Sequence, residues 1–407
     1  MDFSQLKFLV VGAGFSGAVI AERIANIFDE VVLVIDKRAH LGGNCSSLTD
    51  SNTGIEYHRY GTHIFHTNNS EVWSYIQRFT KFNQYQHKVL TLHQGKTYPL
   101  PINLWTINMY LNKNFSPEEA EKFINIEISN KTTIESTNET ASESTNNIAF
   151  EKNIHHHINL ETKAISLIGS KLYNAFIRNY TYKQWNTCPS KLPAATINRL
   201  PVRFNYNTNY FDDPFQGIPN DGYEKIFEKI LSHRKIKYLL STDYQDIKNH
   251  LPPDCLIIYS APIDEFFQYK LGPLGWRGLS FEKEVYKLKD YQGTAVMNFS
   301  DLDTPFTRIH EFKHLHPERK ECFNRDQTVI YKEYSQNWLP GKIPYYPINT
   351  PENNSLYQKY VEAAKNEKHV VFVGRLGRYR YLDMDKAIGE ALNIFENEIK
   401  EKICPKS

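Results

Sequence analysis

The sequence predicts an α/β fold in which one nucleotide-binding domain is assembled from both ends of the chain. The first observation is a βαβ pattern, in which the apolar run 8–11 leads through a glycine-rich turn and a helix to a second apolar run that ends at Asp36. The second observation is an apolar run at 370–373 followed by a helical pattern from Met384 to Lys400. We therefore expect a discontinuous Rossmann-type domain with other elements inserted in its middle.

The intervening elements follow from periodicity. Residues 101–127 and 160–180 have helical patterns, and alternation near 202–206, 293–298 and 328–333 predicts strands. Residues 129–147 are polar and of low complexity, and we expect a mobile surface insertion there because they cannot bury enough apolar surface to offset the entropy of ordering. The helix that follows the glycine-rich turn is predicted to bury Ala18, Ile20, Ala21, Ile24 and Ile27.

Composition limits the class of protein. The chain has 407 residues, 41% of them hydrophobic and 23% charged, which is typical of a folded, soluble protein. A net charge of +2 argues against a nucleic-acid partner. The five cysteines include no CxxC pair, so neither a disulfide framework nor a metal site is predicted. Without a signal peptide or a membrane-length apolar run, we expect a cytoplasmic protein with no membrane partner.

The glycine-rich turn has the spacing of a dinucleotide-binding fingerprint. Gly12 permits the tight turn, Gly14 lets the backbone approach a pyrophosphate, and Gly17 allows close packing of helix on strand. Asp36 follows the last glycine by 19 positions and is placed to accept hydrogen bonds from a ribose. The alternative is a glycine-rich turn that holds no ligand.

A second glycine pair lies just beyond that acidic residue, in the segment His40-Leu41-Gly42-Gly43-Asn44. This position of a glycine pair is more typical of FAD proteins than of NAD dehydrogenases, because the backbone must pass close to an extended dinucleotide. Taken by itself the segment could be a simple turn. Together the two motifs predict that the protein binds FAD.

Further motif segments lie in order along nearly the whole chain apart from 129–155: Tyr60–Thr67, Asn179–Trp185, Arg199–Phe204, Asn209–Phe211, Pro305–Ile309, Lys332–Tyr334, Pro344–Pro347, Gly374–Leu376 and Tyr381–Met384. Together these segments resemble those of bacterial UDP-galactopyranose mutases. The resemblance implies an isomerase that interconverts UDP-galactopyranose and UDP-galactofuranose for cell-surface polysaccharide, with N5 of the reduced flavin as nucleophile on the anomeric carbon. It further implies FAD that is active when reduced, NAD(P)H as a transient reductant, a UDP-sugar or dTDP-sugar substrate, and a homodimer.

On this resemblance we divide the chain into three domains. The FAD-binding Rossmann-like domain comprises residues 1–85, 214–262 and 345–407. A helical domain with a mobile lid comprises 101–195 and includes the 129–155 insertion. An antiparallel sheet domain comprises 86–100, 196–213 and 263–344.

The resemblance also assigns roles to individual residues. Arg199 and Arg308 correspond to the family's catalytic, diphosphate-clamping arginines, and His63 to the histidine beside the flavin ring. The remaining substrate-binding residues, for the phosphates and the base, are Tyr210, Tyr346, Tyr381, Phe176, Tyr180, Thr181 and Trp185. The cofactor-binding residues are Gly12, Gly14, Gly17, Asp36, Gly43, Asn44, His63, Arg375 and Asp383.

The residue types leave alternatives open. Without the resemblance, Arg199 would be as well explained as a buried salt-bridge partner. Tyr180 and Trp185 would more often belong to a core than to a pocket. Glu333 is either a general acid–base or a charge on the surface of a sheet.

Three positions depart from the family pattern: Thr62 stands where Ala is usual, Asp385 replaces a His, and Ser260-Ala261-Pro262 replaces Thr-Gly-Pro. None removes a clamp residue or a glycine, but they bear on the sugar, so UDP-N-acetylgalactopyranose and dTDP-fucopyranose remain alternative substrates. The sugar pocket is expected around His63, His66 and His87. A flavin oxidoreductase of the amine-oxidase type is the rival from another class, and a nucleotide-sugar-binding protein without catalysis is the third possibility.

Overall fold

The computed structural model describes residues 3–136, 159–197 and 201–403, and Arg199 and residues 137–155 of the expected insertion lie outside these ranges. The strands of the described residues are β1 Phe8–Val11, β2 Val32–Asp36, β3 Ser47–Thr49, β4 Glu56–His58, β5 Phe65–Thr67, β6 Val89–His93, β7 Lys96–Leu100, β8 Phe215–Gly217, β9 Ile236–Leu240, β10 Leu256–Tyr259, β11 Trp276–Tyr286, β12 Val296–Phe299, β13 Arg308–Glu311, β14 Thr328–Asn337, β15 Tyr346–Pro347 and β16 Val370–Phe372.

The helices lie between these strands, and two α-helices continue directly into π-helical turns at Tyr173–Arg178 and Phe395–Ile399. The α-helices are α1 Phe15–Phe28, α2 Ser70–Ile76, α3 Leu104–Leu111, α4 Pro117–Ser136, α5 Leu160–Leu172, α6 Asn179–Trp185, α7 Tyr223–Ile230, α8 Tyr244–Ile247, α9 Ile263–Phe266, α10 Lys320–Phe323, α11 Pro351–Ala364, α12 Gly374–Gly377, α13 Met384–Ile394 and α14 Lys400–Ile403. Among these helices none combines the length and the apolar character that a membrane crossing requires.

A five-stranded parallel sheet forms the centre of the nucleotide-binding part, in the order β16-β10-β1-β2-β9. Strands β1 and β2 are buried at every position, as expected of parallel strands covered on both faces. The prediction of a discontinuous α/β domain is confirmed, because strands from residues 8–36, 236–259 and 370–372 meet in one sheet.

A seven-stranded sheet forms the second layer, in the order β15-β11-β14-β13-β12-β6-β7. Its pairs are antiparallel except for β6 with β12, which run parallel. In the register of β13 and β14, Arg308 lies directly opposite Glu333. Strand β15, which falls in the segment 345–407 that we assigned to the nucleotide domain, pairs with β11 of this sheet. The domain boundaries stay a prediction.

Three of the predicted elements are corrected by the structure. The helical pattern at 101–127 is two helices, because Asn112 adopts φ 53° and ends α3 before Pro117 begins α4. Helix α4 then continues to Ser136, into the segment expected to begin a mobile insertion at residue 129. The strand predicted near 202–206 is wrong. The buried guanidinium of Arg203 donates to the carbonyl of Asn209 and to Asp212 at 2.8 Å, so this segment is held as a loop.

The apolar face of α1 is predicted correctly with one exception. Ala18, Ile20, Ala21 and Ile24 are fully buried, but Ile27 in the last turn is 44% exposed. The helix ends one residue later at Phe28, and its C-cap Asp29 has φ 50°.

Candidate active site

A narrow groove runs between the first glycine-rich turn and the glycine pair that follows β2. Gly12 has φ +103°, and its N–H donates to the carbonyl of Ile35 at 2.7 Å. A Cβ added at Gly14 would lie 3.9 Å from the Cα of Gly43, which itself has φ +56°. A Cβ added at Gly17 would lie 2.0 Å from the carbonyl oxygen of Gly12, so helix and turn are in direct contact. The residues therefore fit a dinucleotide, since side chains at Gly14 or Gly43 would fill its cradle.

Asp36 lies at the carboxyl end of β2 and lines this groove of about 400 Å³. Its two carboxylate oxygens accept from the N–H groups of Ala13 and Arg38, each at 2.9 Å. Asp36 therefore holds the glycine-rich turn in place, and each oxygen keeps a further lone pair for a ribose hydroxyl. That second role stays a prediction.

A second cavity, of about 480 Å³, joins the groove at its far end. Asn44, His63, Arg375 and Asp383, four of the predicted cofactor residues, line both spaces. The junction is where the reactive end of an extended dinucleotide would meet a substrate.

The structure brings most of the predicted substrate residues to the second cavity. Thr181 and Trp185 are not among the residues that line it, although the Trp185 ring centroid is 6.3 Å from that of Tyr346. The rings of Tyr346 and Tyr381 stack with centroids 5.9 Å apart, and the guanidinium of Arg375 lies 4.6 Å from the Tyr381 centroid. The predicted residues that line the cavity are Phe176, Tyr180, Tyr210, Arg308, Tyr346 and Tyr381.

Arg308 lines this cavity together with Arg375. Its Nε and Nη2 both lie 2.9 Å from Oε1 of Glu333. Burial alone would lower the pKa of Arg308, but the Glu333 carboxylate outweighs burial and, with nearby phenols such as that of Tyr180, raises this pKa well above its ordinary value. Arg308 is therefore a permanent positive charge in a largely desolvated site, which is what binding a diphosphate requires.

Glu333 is neither the surface charge nor the general acid that the sequence left open. It is 2% exposed and also accepts from Thr307 Oγ1 and His310 Nε2, each at 3.1 Å. Burial would raise the pKa of Glu333, but Arg308 and His310 lower it to about 2. Glu333 is therefore ionised at neutral pH and acts by orienting Arg308.

His63 lies at the junction as a neutral imidazole. Its Nδ1 lies 2.8 Å from the Gly61 carbonyl, so Nδ1 carries the proton and Nε2 is left as an acceptor. Burial, with a smaller effect of the Arg375 charge, lowers the pKa of His63 to about 4. The backbone N–H of His63 in turn donates to Nδ1 of His58 at 2.9 Å, which fixes the segment that carries the ring.

An aromatic and polar wall closes the cavity beside His63. The His66 ring stacks on Phe211 with centroids 3.6 Å apart, and its Nδ1 lies 2.6 Å from Asp213. His87 lines the same wall, and burial is the main cause that lowers its pKa to about 3. The sequence analysis anticipated both histidines and included Phe211 in the segment Asn209–Phe211, but it contained no signal for the partner Asp213.

Two of the residues that depart from the family pattern make hydrogen bonds that stabilise the fold. Ser260 donates through Oγ to the Val11 carbonyl at 2.7 Å and occupies the space beside Gly12. Asp385 is buried and accepts from Thr67 Oγ1 at 2.9 Å. Neither residue lies in the cavity that would hold a sugar.

We expect the protein to lose stability steeply as pH falls from about 6.5 to about 5. Burial lowers the pKa values of His58 and His87 to about 3 and that of His63 to about 4, so the unfolded chain takes up protons that the folded one does not. Each histidine should lower the free energy of unfolding by about 1.4 kcal/mol per pH unit in this range. Urea unfolding at several pH values measures the slope.

The variant His58→Asn provides the matched comparison, because its amide oxygen can still accept from the His63 N–H while it takes up no proton. This variant should reduce the slope by about 1.4 kcal/mol per pH unit, which is the contribution of one histidine. An unfolding free energy that does not change between pH 7 and pH 5 would contradict the assignment of neutral, buried imidazoles.

Known proteins resemble this chain over most of its length. Residues 175–381 match the family profile described as UDP-galactopyranose mutase, and residues 10–79 match an NAD(P)-binding Rossmann-like domain. The chain is 41% identical over 386 residues to the "Probable UDP-galactopyranose mutase" of Klebsiella pneumoniae, covering 95% of this chain and 93% of the relative. It is 38% identical over 400 residues to the dTDP-fucopyranose mutase of Escherichia coli, covering 97% and 98%.

Solved structures show that the fold is shared more widely. A crystal structure of reduced UDP-galactopyranose mutase superposes with a TM-score of 0.69 at 15% identity and covers 98% of each chain. An oxidoreductase from Methanosarcina mazei superposes with a TM-score of 0.55 at 11% identity, covering 96% of this chain and 100% of its own. The fold alone therefore does not separate isomerase from oxidoreductase, but the sequence relationships do: the chain belongs to the UDP-galactopyranose mutase family.

Proposed function

We propose that this protein is an FAD-dependent nucleotide-sugar mutase that interconverts UDP-galactopyranose and UDP-galactofuranose. The observation that supports this most is the Arg308–Glu333 pair, which faces a cavity continuous with a dinucleotide groove. An enzyme that releases and recaptures a diphosphate needs a fixed positive charge beside its reactive centre, and Arg308 would supply it.

The groove residues Gly14, Gly43 and Asp36 would hold the adenosine diphosphate half of FAD, and Arg375 and Asp383 would contact it near the junction. A reduced flavin bound there supplies N5 as the nucleophile for the anomeric carbon. His63 would accept a hydrogen bond through Nε2 at the junction without adding a charge. NAD(P)H as reductant and a homodimeric assembly belong to the same proposal.

The protein's own contribution to the reaction is electrostatic and positional. Arg308 would bind the diphosphate both in the substrate and as it leaves, when negative charge on the bridging oxygen increases. The phenolic hydroxyls of Tyr210, Tyr346 and Tyr381 line the same cavity and would donate hydrogen bonds to phosphate oxygens. Tyr180 and Phe176 would pack against the base. By resemblance to the family, Arg199 would be the second arginine that binds the diphosphate.

The same chemistry on dTDP-fucopyranose is the second candidate, because the relative from Escherichia coli named for that substrate is nearly as similar as the one from Klebsiella pneumoniae. The two substrates differ in the base methyl, in the 2′-hydroxyl of the nucleoside ribose and in the C6 hydroxyl of the sugar. His66 lines the cavity with its Nδ1 paired to Asp213, so its Nε2 would be a polar partner for the C6 hydroxyl, which favours a sugar that retains this group.

The test is an assay of the FAD-loaded protein with UDP-galactofuranose, with and without dithionite. We expect conversion to the pyranose only after reduction, with no net oxidation of the sugar. A panel that includes dTDP-fucofuranose and UDP-N-acetylgalactofuranose ranks the alternative substrates. Absence of isomerisation of every sugar by fully reduced protein would refute the proposal, and consumption of substrate by oxidation would instead support the amine-oxidase type.

A further inference from the structure

A chain of hydrogen bonds connects the loop that carries His63 to the arginine clamp. Thr62 Oγ1 lies 2.8 Å from His310 Nδ1, and His310 Nε2 lies 3.1 Å from Oε2 of Glu333. The other oxygen of Glu333 accepts from Nε of Arg308 at 2.9 Å. The chain thus spans Thr62, His310, Glu333 and Arg308, although Thr62 and His310 are 248 positions apart in sequence.

The direction of each hydrogen bond follows from the chemistry of the groups. An ionised Glu333 can only accept, so Nε2 of His310 carries the proton and donates. Nδ1 of a neutral His310 is then an acceptor, and the Thr62 hydroxyl must donate to it. Both His310 and Glu333 are almost fully buried, at 1% and 2% exposure, so their orientation depends mainly on partners within the protein.

The backbone brings the loop against the carboxylate. Gly61 has φ +84°, and a Cβ there would lie 3.5 Å from Glu333 Oε2 and 3.1 Å from the Phe281 ring. Thr62 and His63 are neighbours, and Thr62, His63, His310, Glu333 and Arg308 all line the same cavity. The loop that would touch the flavin and the clamp that would touch the diphosphate are therefore one hydrogen-bonded unit.

We infer that Thr62 is a positioning residue of this unit, and that its hydroxyl, acting through His310 and Glu333, fixes the Arg308 guanidinium in the orientation that holds the substrate diphosphate. The inference rests on the proposed function. Without the Thr62 donor, Nδ1 of His310 is left as a buried acceptor without its partner, and the ring is held against Glu333 by one hydrogen bond instead of two. Glu333 then loses a fixed partner on Oε2, and Arg308 loses the carboxylate geometry that orients it.

The experiment compares Thr62→Val, Thr62→Ala and Thr62→Ser in FAD-loaded protein. Val keeps the size of Thr without the hydroxyl, and Ala removes both the methyl group and the hydroxyl. Ser keeps the hydroxyl and removes only the methyl group. Binding of UDP and of inorganic pyrophosphate is measured by calorimetry, and kcat and KM are measured with UDP-galactofuranose. We expect Val and Ala to weaken binding of both probes and to lower kcat by about tenfold, with a smaller change in KM, while Ser stays within about twofold of the wild type.

Thr328→Val is the matched control. Thr328 is a fully buried threonine of the same sheet whose hydroxyl donates to the buried Glu311 carboxylate at 2.7 Å, away from the cavity. It should lower stability without changing the affinity for UDP or pyrophosphate. Because it removes the same kind of hydrogen bond, it separates loss of positioning from general loss of stability.

The outcomes distinguish this inference from the proposed function. Wild-type affinity and kcat in both Thr62→Val and Thr62→Ala would overturn the positioning role while leaving the mutase proposal intact. Equal impairment of Thr62→Ser and Thr62→Val would show that the shape of the side chain matters and the hydroxyl does not. Wild-type protein that binds neither UDP nor pyrophosphate would have no diphosphate clamp, and both proposals would then fail.

Discussion

Replacement of Arg308 by lysine should abolish most mutase turnover while FAD remains bound. Lysine keeps a positive charge next to the buried Glu333 carboxylate, but it cannot reproduce the two contacts that Nε and Nη2 make with Oε1 at 2.9 Å. It also loses the planar fork that matches a diphosphate. Loss of a buried, charge-assisted contact costs about 2–5 kcal/mol, so we expect kcat to fall by roughly 30-fold to several thousand-fold.

Lysine is a sharper test than alanine at this position. Arg308→Ala would leave Glu333 as an unpaired buried charge, which by itself costs about 3–5 kcal/mol of stability. A loss of activity in that variant would therefore mix misfolding with loss of the clamp. Arg308→Lys keeps the charge balance of the pair, so a low kcat with an unchanged flavin content isolates the loss of diphosphate binding.

The measurement combines kcat, the affinity for UDP and the flavin-to-protein absorbance ratio. Arg378→Lys is the control, because Arg378 is also ion-paired, with Glu390 and Glu398, but does not line either the groove or the cavity. It should retain near-normal kcat. Near-normal kcat in Arg308→Lys as well would mean that the clamp lies elsewhere.

The glycine-rich turn and its acidic residue were predictable from the sequence, because their spacing along the chain is that of a dinucleotide-binding fingerprint. The turn from Gly12 to Gly17 and the acidic residue Asp36 belong to one continuous βαβ unit, so their geometry follows from the chain itself. The same holds for the apolar strands, whose burial on both faces appears as uninterrupted apolar runs. The predicted parallel sheet was confirmed for this reason.

The long-range part was not predictable from the residues alone. Arg308 and Glu333 face each other because β13 and β14 pair in one particular register, and a single sequence does not specify that register. The hydrogen bond between Thr62 and His310 depends further on where the loop before β5 meets strand β13 of the seven-stranded sheet. The failed strand near 202–206 has a related cause, because the Arg203 side chain satisfies loop carbonyls there and no partner strand is needed.

Replacement of Gly14 by alanine should leave the fold intact and greatly weaken FAD binding. Gly14 has φ −83°, which alanine adopts without strain, and the added Cβ would meet only the Gly43 Cα at 3.9 Å and the Gly42 oxygen at 4.0 Å. The apoprotein should therefore unfold at the same temperature as the wild type, or slightly higher because the unfolded chain loses conformational freedom. The same Cβ would project across the cradle in which a pyrophosphate would meet the N-terminus of α1. We expect affinity for FAD to fall by roughly 10–100-fold, from an overpacking cost of about 1–3 kcal/mol.

Gly17→Ala is the contrasting variant, because it would lose FAD for a different physical reason. Its Cβ would lie 2.0 Å from the Gly12 oxygen and 2.9 Å from Val10 Cγ1, so α1 would have to move away from β1. Thermal unfolding of the flavin-free variants should thus separate them, with Gly17→Ala destabilised and Gly14→Ala not, while FAD titration should find both impaired. A Gly14→Ala protein that binds FAD with wild-type affinity would show that the dinucleotide does not pass between the two glycine turns. Since His63, Arg375 and Asp383 line the junction at the end of that path, their assignment to the flavin would then fail with it.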